Sequence, residues 1–245
     1  MDLGADLCCD SAHKTLPVLT GGAYLHIGAH LSMGLKSQAK QALALFGSTS
    51  PSYLILQSLD AVNVLLASHG YAASLTETAK RVEACRIKLR EHGLHSPAND
   101  EPLKLTLYPH HFGYTGIEVA QYLRDHGIEC EFADPDHVVL MFTPAITEGD
   151  TELLTEVLLS LPRRAPLLLC PPPLVRPERV LSVREALLSP AETLPVSECV
   201  GRVLAAATVG CPPAVPIVVS GERIDDGAVE CFGYYGIETC SVVKE

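Results

Sequence analysis

The run Ser11-Ala12-His13-Lys14-Thr15 places a hydroxyl, an imidazole and a primary amine beside one another. A lysine amine is a nucleophile that can hold an aldehyde cofactor through an imine. Hydroxyls, imidazoles and backbone N–H groups at a turn are suited to bind a phosphate. By itself the pattern Ser-x-His-Lys is weak evidence, because ordinary residue usage would place it in roughly a few per cent of chains of this length. The alternative is a polar surface turn.

Three further runs carry residues that could assist such chemistry. A hydroxyl-rich turn, Gly47-Ser48-Thr49-Ser50-Pro51-Ser52-Tyr53, precedes an apolar stretch with helical periodicity. Leu187-Leu188-Ser189-Pro190 is followed by Val200-Gly201-Arg202-Val203. The last run is Cys211-Pro212-Pro213-Ala214-Val215-Pro216-Ile217-Val218-Val219-Ser220-Gly221-Glu222. Its final carboxylate could pair with the cation of a ligand.

In this order, the four runs resemble the ornithine/lysine/arginine decarboxylase family, whose members are pyridoxal-phosphate (PLP) enzymes. The last run resembles the family signature Tyr-Pro-Pro-Gly-(Ile/Val)-Pro…Pro-Gly-Glu, and the matches span nearly the whole chain. The chain departs from the family where the glutamine after the lysine motif is Gly21. In the signature, the usual Tyr, Gly and final Pro are Cys211, Ala214 and Ser220. These last departures fall in the segment that the resemblance associates with the substrate.

The resemblance implies a role for each candidate residue. Lys14 holds the cofactor and His13 contacts it, so these two are the expected catalytic residues. Ser11 is expected to bind the cofactor phosphate. Ser48 and Thr49 are expected to bind the phosphate of the neighbouring subunit in a dimer, although helix capping is an alternative for this turn.

Glu222 is implied to pair with the distal cation of a basic amino acid, and an exposed turn glutamate is the alternative. Two other polar groups have simpler explanations. The adjacent His110 and His111 would point to opposite faces of a strand and chelate poorly. The sequence Asp134-Pro135-Asp136 indicates a turn. We therefore expect no metal site.

The resemblance also implies an α/β fold that corresponds to the C-terminal portion of a PLP-dependent fold type I enzyme. Residues 1–95 are expected to form the end of the PLP-binding major domain, 96–165 a small α+β domain, and 166–245 the decarboxylase C-terminal domain. In the family the lysine lies near the middle of the chain, and here only thirteen residues precede it. We expect a truncated or partial chain that is inactive alone, because the preceding half supplies the partner of the pyridinium nitrogen and the ring-stacking group.

Local patterns predict the elements of the first 95 residues. Small apolar residues from Leu3 to Cys9 and from Ala23 to Ile27 indicate strands on either side of the Lys14 turn. Three helices are predicted from caps and periodicity: over 37–46 with Gly47 as stop, from Ser50 onward, and from Ser74 to the residue before Gly93.

The remaining sequence predicts a second set of elements. Residues 103–161 follow the order β-α-β-β-α, which is typical of a small α+β domain with an antiparallel sheet. Thr115 is expected to cap the first of its helices and Asp150 the second. After a proline-rich stretch over 162–177, short helices are predicted over 182–188 and 197–206, and an extended segment over 214–220.

Composition excludes several classes of function. With 47% hydrophobic residues, 19% charged residues and a net charge of −11, the chain is expected to be globular and to bind neither nucleic acid nor anionic membranes. No apolar run reaches the ~18 residues of a membrane helix, and no signal peptide is evident. Nine scattered cysteines without a Cys-x-x-Cys pair indicate a reducing cytoplasm and no zinc site.

We therefore expect PLP-dependent decarboxylation of arginine, lysine or ornithine to a polyamine-pathway amine, by a homodimer or higher homo-oligomer. Two alternatives stay open. A PLP-dependent aminotransferase would share Lys14 and the fold, but it would need an arginine for a second carboxylate and would not be expected to carry the Pro-Pro…Gly-Glu signature. A non-catalytic fragment could serve as a dimerisation or regulatory module.

Overall fold

The computed structural model describes residues 1, 3–97, 101–173, 175–207 and 215–245. The chain divides into two compact units. Unit 1 comprises Met1–Val82 and Phe142–Glu148, and unit 2 comprises Glu83–Met141 and Gly149–Glu245. The start of the proline-rich signature, Cys211–Ala214, lies outside the described residues.

Unit 1 consists of a small hairpin and helices. Its elements are β1 (Leu7–Ser11), α1 (Ala12–Thr15), β2 (Ala23–Ile27), α2 (Met33–Phe46), α3 (Tyr53–Leu66) and the first part of α4 (His69–His92). Strands β1 and β2 pair antiparallel, with Cys9 opposite Leu25. The predicted bounds of β2 are confirmed, whereas β1 begins and ends later than the predicted strand over 3–9. The predicted turn that carries Lys14 is the short helix α1.

The helix ends of unit 1 show which capping signals dominate. Helix α2 ends before Gly47 as predicted, but it begins earlier, because Ser32 caps it and accepts a hydrogen bond from the Leu35 amide. The prediction of Ser50 as the cap of α3 is wrong. Ser52 occupies that position, and its hydroxyl accepts from the Ile55 amide at 3.5 Å.

Helix α4 corrects a second capping prediction. It begins at His69, so Ser74 lies inside the helix instead of at its start. The Ser74 hydroxyl donates to the Gly70 carbonyl one turn earlier, at 3.1 Å. This back-bonding satisfies the hydroxyl within the helix and removes its capping role. The predicted end before Gly93 is confirmed.

In unit 2, the first sheet confirms the predicted β-α-β-β-α order. Its elements are β3 (Lys104–Leu107), α5 (Gly116–Asp125), β4 (Phe132–Ala133), β5 (Val138–Met141) and α6 (Glu148–Leu159). The sheet is antiparallel in the order β3-β5-β4. Thr115 and Glu118 form the predicted capping box at the start of α5. Helix α6 starts at Glu148, before the predicted cap Asp150.

A second antiparallel sheet follows in unit 2. Its elements are α7 (Val183–Leu188), β6 (Ala191–Pro195), β7 (Leu204–Ala206), α8 (Asp226–Tyr234) and β8 (Thr239–Val243), with strand order β6-β8-β7. The predicted helix over 182–188 is confirmed as α7, and Ser182 is its N-cap. The predicted helix over 197–206 is wrong, because Gly201 has a φ of 83° and the residues after it pair with β8. Residues 215–220, predicted as extended, form no strand, and residue 214 lies outside the described part of the chain.

Buried side chains hold the second sheet of unit 2 together. The cluster consists of Val196, Cys199, Leu204, Val218, Ile224, Ala228, Phe232, Cys240 and Val242. In the first sheet, Leu105 and Leu107 of β3 and Val138 and Leu140 of β5 are also buried. Among the described residues, no helix is long and apolar enough to span a bilayer.

Candidate functional site

Lys14 lies in α1, which connects β1 directly to the turn before β2. Helix α1 is anchored at its start by Ala12, which is buried in a cluster with Val18 and Val62. At its end, the Tyr71 hydroxyl donates to the Thr15 carbonyl at 3.3 Å. The backbone on both sides of Lys14 is therefore fixed by packing and by a hydrogen bond, while the Lys14 side chain is only partly buried.

His13 is oriented by the turn that precedes β2. Its Nδ1 lies 3.1 Å from the Gly22 carbonyl oxygen. Because a carbonyl only accepts, this contact places a proton on Nδ1. Gly21 has a φ of 96°, a conformation that favours glycine and accounts for its presence where the family resemblance leads one to expect glutamine. A Cβ atom on Gly22 would lie 2.4 Å from Val18 Cγ1, so this turn requires two glycines.

The hydroxyl candidates lie at two places in unit 1. Ser11 is the N-cap of α1, but its hydroxyl makes no capping hydrogen bond. Ser48 and Thr49 lie exposed in the loop between α2 and α3. The Ser48 hydroxyl accepts from the Ser50 amide at 3.1 Å, while Ser52 caps α3. Helix capping therefore does not explain Ser48 and Thr49.

Glu222 belongs to a turn in unit 2. One of its carboxylate oxygens, Oε2, accepts a hydrogen bond from the Val219 amide at 2.9 Å. Its carbonyl accepts from the Leu204 amide at 2.9 Å. The Glu222 side chain thus closes a local turn, and its backbone connects that turn to β7. A role in substrate binding would have to coexist with this hydrogen bond.

Gly221 explains the glycine of the Gly-Glu pair. It has a φ of 91°, and a Cβ atom there would lie 2.4 Å from the Leu181 carbonyl oxygen. Its own carbonyl accepts from the amides of Val180 and Leu181, at 2.9 and 3.0 Å. The conformation of this turn and its backbone contacts therefore both require glycine at this position.

A buried polar cluster in unit 2 was missed by the sequence analysis. The Asp136 side chain is only 8% exposed. Tyr234 and Tyr235 donate their hydroxyls to its two oxygens, at 2.5 and 3.2 Å. Burial, followed by the interactions with Asp136, raises the pKa of Tyr235 to about 12 and also raises the pKa of Tyr234. Both tyrosines therefore stay protonated donors at neutral pH.

Asp134 and His137 form a pair next to Asp136, and the predicted turn is confirmed. The Asp134 Oδ1 accepts from the amides of Asp136 and His137 and lies 3.1 Å from His137 Nδ1. Burial opposes ionisation of Asp134, but the hydrogen bonds from His137 outweigh it and lower its pKa. The potential metal-ligand atoms of the three residues lie within 4.8 Å of one another. Hydrogen bonds within the protein engage all three side chains.

The comparison that bears most directly on function concerns unit 2. Residues 172–238 match the C-terminal domain of Orn/Lys/Arg decarboxylases. The chain is also 28% identical over 248 residues to the arginine decarboxylase of Bacillus subtilis, covering 92% of this chain and 49% of that protein. It is 28% identical over 245 residues to the arginine decarboxylase of Halalkalibacterium halodurans, with the same two coverages. The chain thus spans about half the length of the curated relatives it matches.

Solved structures agree on the fold. The Francisella novicida lysine decarboxylase LdcF superimposes with a TM-score of 0.72 at 17% identity, over 96% of this chain and 48% of that one. Lysine decarboxylase A from Pseudomonas aeruginosa gives a TM-score of 0.73 at 17% identity, over 97% of this chain and 49% of that one. The α/β architecture therefore corresponds to about half of a lysine decarboxylase chain.

Proposed function

We propose that this chain provides the Lys14-bearing half of a PLP-dependent decarboxylase that acts on a basic amino acid. The observation that carries the proposal is the similarity to arginine decarboxylases, which extends over 92% of the chain and through both units. The match of residues 172–238 to the decarboxylase C-terminal domain favours a decarboxylase over an aminotransferase. The domains would be those of the sequence analysis: 1–95, 96–165 and 166–245.

The residues in and beside α1 fit the cofactor as a set of donors. Lys14 supplies the primary amine for covalent attachment, and the Gly22 carbonyl holds the His13 ring by Nδ1, which leaves Nε2 for the cofactor. The Ser11 hydroxyl makes no capping bond and could donate to a phosphate oxygen. When bound, PLP accepts the electron pair that remains on the substrate when carbon dioxide departs.

The other site residues complete the proposal. Ser48 and Thr49 would donate to the phosphate held by the second subunit of a homodimer, which suits their exposed position in the loop before α3. Glu222 would pair with the distal cation of arginine, lysine or ornithine, giving a polyamine-pathway amine as product. The eight cysteines in the described part of the chain are unpaired, which is compatible with a reducing cytoplasm.

A non-catalytic module is the second candidate function. It is favoured by the carboxylate of Glu222, which closes a local turn. Under this alternative the chain would stabilise or regulate a separate decarboxylase, and Lys14 would carry no cofactor.

The test is carbon dioxide release from labelled arginine, lysine and ornithine in the presence of PLP. The sample is the chain completed with the part of the Bacillus subtilis arginine decarboxylase that does not align with it. Lys14→Ala should reduce the release to that of a protein-free sample, because the attachment amine is lost. The matched control Lys36→Ala changes a lysine of α2 and should leave the release unchanged.

Two results would overturn the proposal. Equal release by the Lys14→Ala variant would remove Lys14 from the chemistry. No release from any of the three amino acids by a sample in which both polypeptides are folded and associated would favour the non-catalytic module.

A further inference from the structure

Arg223, which directly follows Glu222, connects two backbone segments of unit 2. Its Nε donates to Oε2 of Glu178 at 3.1 Å, and its Nη1 donates to the Gly201 carbonyl at 2.8 Å. Its own amide donates to the Glu178 carbonyl at 2.9 Å. An arginine presents its N–H donors in a rigid planar fork, so one side chain can hold two acceptors at a set separation. Arg223 therefore joins the segment around Glu178 to the segment that precedes β7.

Glu222 lies between the same two segments. On one side it forms an antiparallel bridge with Arg179. On the other side its carbonyl accepts from the Leu204 amide at 2.9 Å. The hydrogen bond from the Val219 amide holds the Glu222 carboxylate only to its own turn, because Val219 is three residues earlier. The position of this carboxylate therefore depends on how the two flanking segments are held relative to each other.

Glu222 and Arg223 present their side chains on opposite faces of this pairing. Both residues form antiparallel bridges, Glu222 with Arg179 and Arg223 with Val203. Successive side chains of extended backbone point to opposite faces. The Arg223 guanidinium therefore lies behind the face that carries the Glu222 carboxylate. From there it can fix the backbone of Glu222 without competing with a cation that approaches the carboxylate.

We propose that Arg223 is a positioning residue for Glu222. By holding Glu178 and the Gly201 carbonyl together, Arg223 sets the place of the Glu222 carboxylate and so contributes to recognition of the distal cation of the substrate. The inference rests on the proposed function, in which Glu222 pairs with that cation, and it adds a residue that acts without touching the substrate. The effect on activity can be large, because misplacing a binding group by about 1 Å can cost about a hundredfold in rate.

The side-chain contacts of Arg223 contribute little to the stability of unit 2. The side chains of Arg223 and Glu178 are 43% and 71% exposed, and water screens an ion pair this exposed. The adjacent Ile224 is fully buried in the cluster of the second sheet, so the backbone after Arg223 keeps its own anchor. Loss of the guanidinium should therefore displace the Glu222 turn without unfolding the unit. A positioning role can thus be separated from a role in stability.

Amide hydrogen exchange followed by nuclear magnetic resonance tests the placement on the chain itself. In Arg223→Met the amides of Val219 and Leu204 should exchange faster by about threefold or more, because the guanidinium no longer joins the two segments and the turn opens locally. The amides of β8 should keep their exchange rates, which shows that the sheet is intact. The matched control is Arg184→Met, which changes an exposed arginine of α7 and should alter none of these rates.

Steady-state kinetics of the chain completed with the unaligned part of the Bacillus subtilis enzyme test the consequence for arginine, lysine and ornithine. Arg223→Met should lower kcat/KM by about tenfold, mainly by raising KM, because a binding group is displaced. Arg223→Lys keeps the charge without the fork, and Glu178→Ala removes one acceptor, so both should lose less. In a Glu222→Gln background Arg223→Met should cause no further loss, because the two residues act through one carboxylate.

Three outcomes would overturn the proposal. The first is unchanged exchange of the Val219 and Leu204 amides in Arg223→Met. The second is additive losses of kcat/KM in the double variant, which would show that Arg223 acts independently of Glu222. The third is an equal loss in Arg184→Met. Because exchange is measured without substrate, faster exchange in Arg223→Met together with a completed protein that releases no carbon dioxide would support the placement of Glu222 by Arg223 and count against the proposed function alone.

Discussion

Units 1 and 2 differ in how far they account for their own stability. In the described part of unit 2 there are two three-stranded antiparallel sheets, and the cluster under the second sheet has nine buried residues. In the described part of unit 1 there is one two-stranded sheet, and the cluster beneath α1 has three buried residues. Unit 2 therefore has the larger buried core, whereas the candidate catalytic lysine of unit 1 lies beside a small one. The difference teaches that a few local contacts can hold the candidate lysine in a unit whose buried cluster is small.

Core truncation should give the largest difference between the units. Leu105→Ala removes a fully buried side chain of β3 in unit 2 and should cost about 2–5 kcal/mol of unfolding free energy. Leu45→Ala in unit 1 removes an exposed side chain and should stay within about 0.5 kcal/mol. Urea unfolding of the chain alone, followed by circular dichroism, measures both changes. Similar losses at the two positions would contradict the comparison.

The Glu222 carboxylate of unit 2 provides a functional test of the comparison. Glu222→Gln keeps an oxygen acceptor for the Val219 amide and removes the charge, so the turn should persist. If the carboxylate pairs with the distal cation of the substrate, its loss should reduce kcat/KM by the equivalent of about 2–5 kcal/mol. The completed protein would be assayed with arginine, lysine and ornithine. Unchanged kcat/KM for all three would leave Glu222 a turn residue.

The buried carboxylate of unit 2 should give the next largest effect. Tyr234→Phe removes the shorter of the two tyrosine hydrogen bonds to Asp136 and should cost about 1–3 kcal/mol, because a buried acceptor loses its donor. Tyr235→Phe should cost less, since its hydrogen bond is longer, at 3.2 Å. Thermal unfolding ranks the two variants. The reverse order would show that Tyr235 is the main partner of Asp136.

The smallest predicted effect is a pH-dependent change in stability that comes from the Asp134–His137 pair. The hydrogen bond from Asp134 raises the pKa of His137 above 6.5. The stability that this pair contributes is therefore fully present below pH 6.5 and is lost as the pH rises through the raised value. On the acid side, the contribution of Asp134 is lost as the pH falls below 3.8 through its lowered pKa.

His137→Gln should accordingly destabilise the chain by about 1 kcal/mol at pH 5.5, a small loss because the pair is partly exposed. At pH 8.5 the loss should be smaller, because less of the His137 imidazole is charged. The unfolding midpoint in urea, measured at both pH values, checks the sign. His111→Gln is the control, since it leaves the Asp134 pair intact. A larger loss at pH 8.5 than at pH 5.5 would exclude the charged pair as the cause.

Much of the local structure could be predicted from the sequence. The cap at Thr115, the short helix over 182–188 and the helix ends before Gly47 and Gly93 are confirmed, because these signals act within one helical turn. The prediction of a helix over 197–206 was wrong, because residues 204–206 pair with β8, which lies far along the chain. Ser50 failed as a cap because Ser52 offers the same chemistry two residues later.

The same limit applies to the site. The chemistry assigned to the Lys14 motif stays a prediction from five adjacent residues. The structure adds the fixed His13 ring and the anchored ends of α1. The contact between Asp136 and Tyr234 joins residues that are 98 positions apart, so no local sequence pattern predicts it. Capping signals within one helical turn could therefore be predicted, whereas contacts that depend on the tertiary fold could not.

The most direct test of the account is to identify the lysine that holds PLP. The chain, alone and completed with the unaligned part of the Bacillus subtilis enzyme, would be incubated with PLP, reduced with borohydride and mapped by peptide mass spectrometry. The account predicts that the pyridoxyl label falls on Lys14, weakly in the chain alone and strongly in the completed protein. Label that favours another lysine, or that spreads evenly over all lysines of the completed protein, would contradict it.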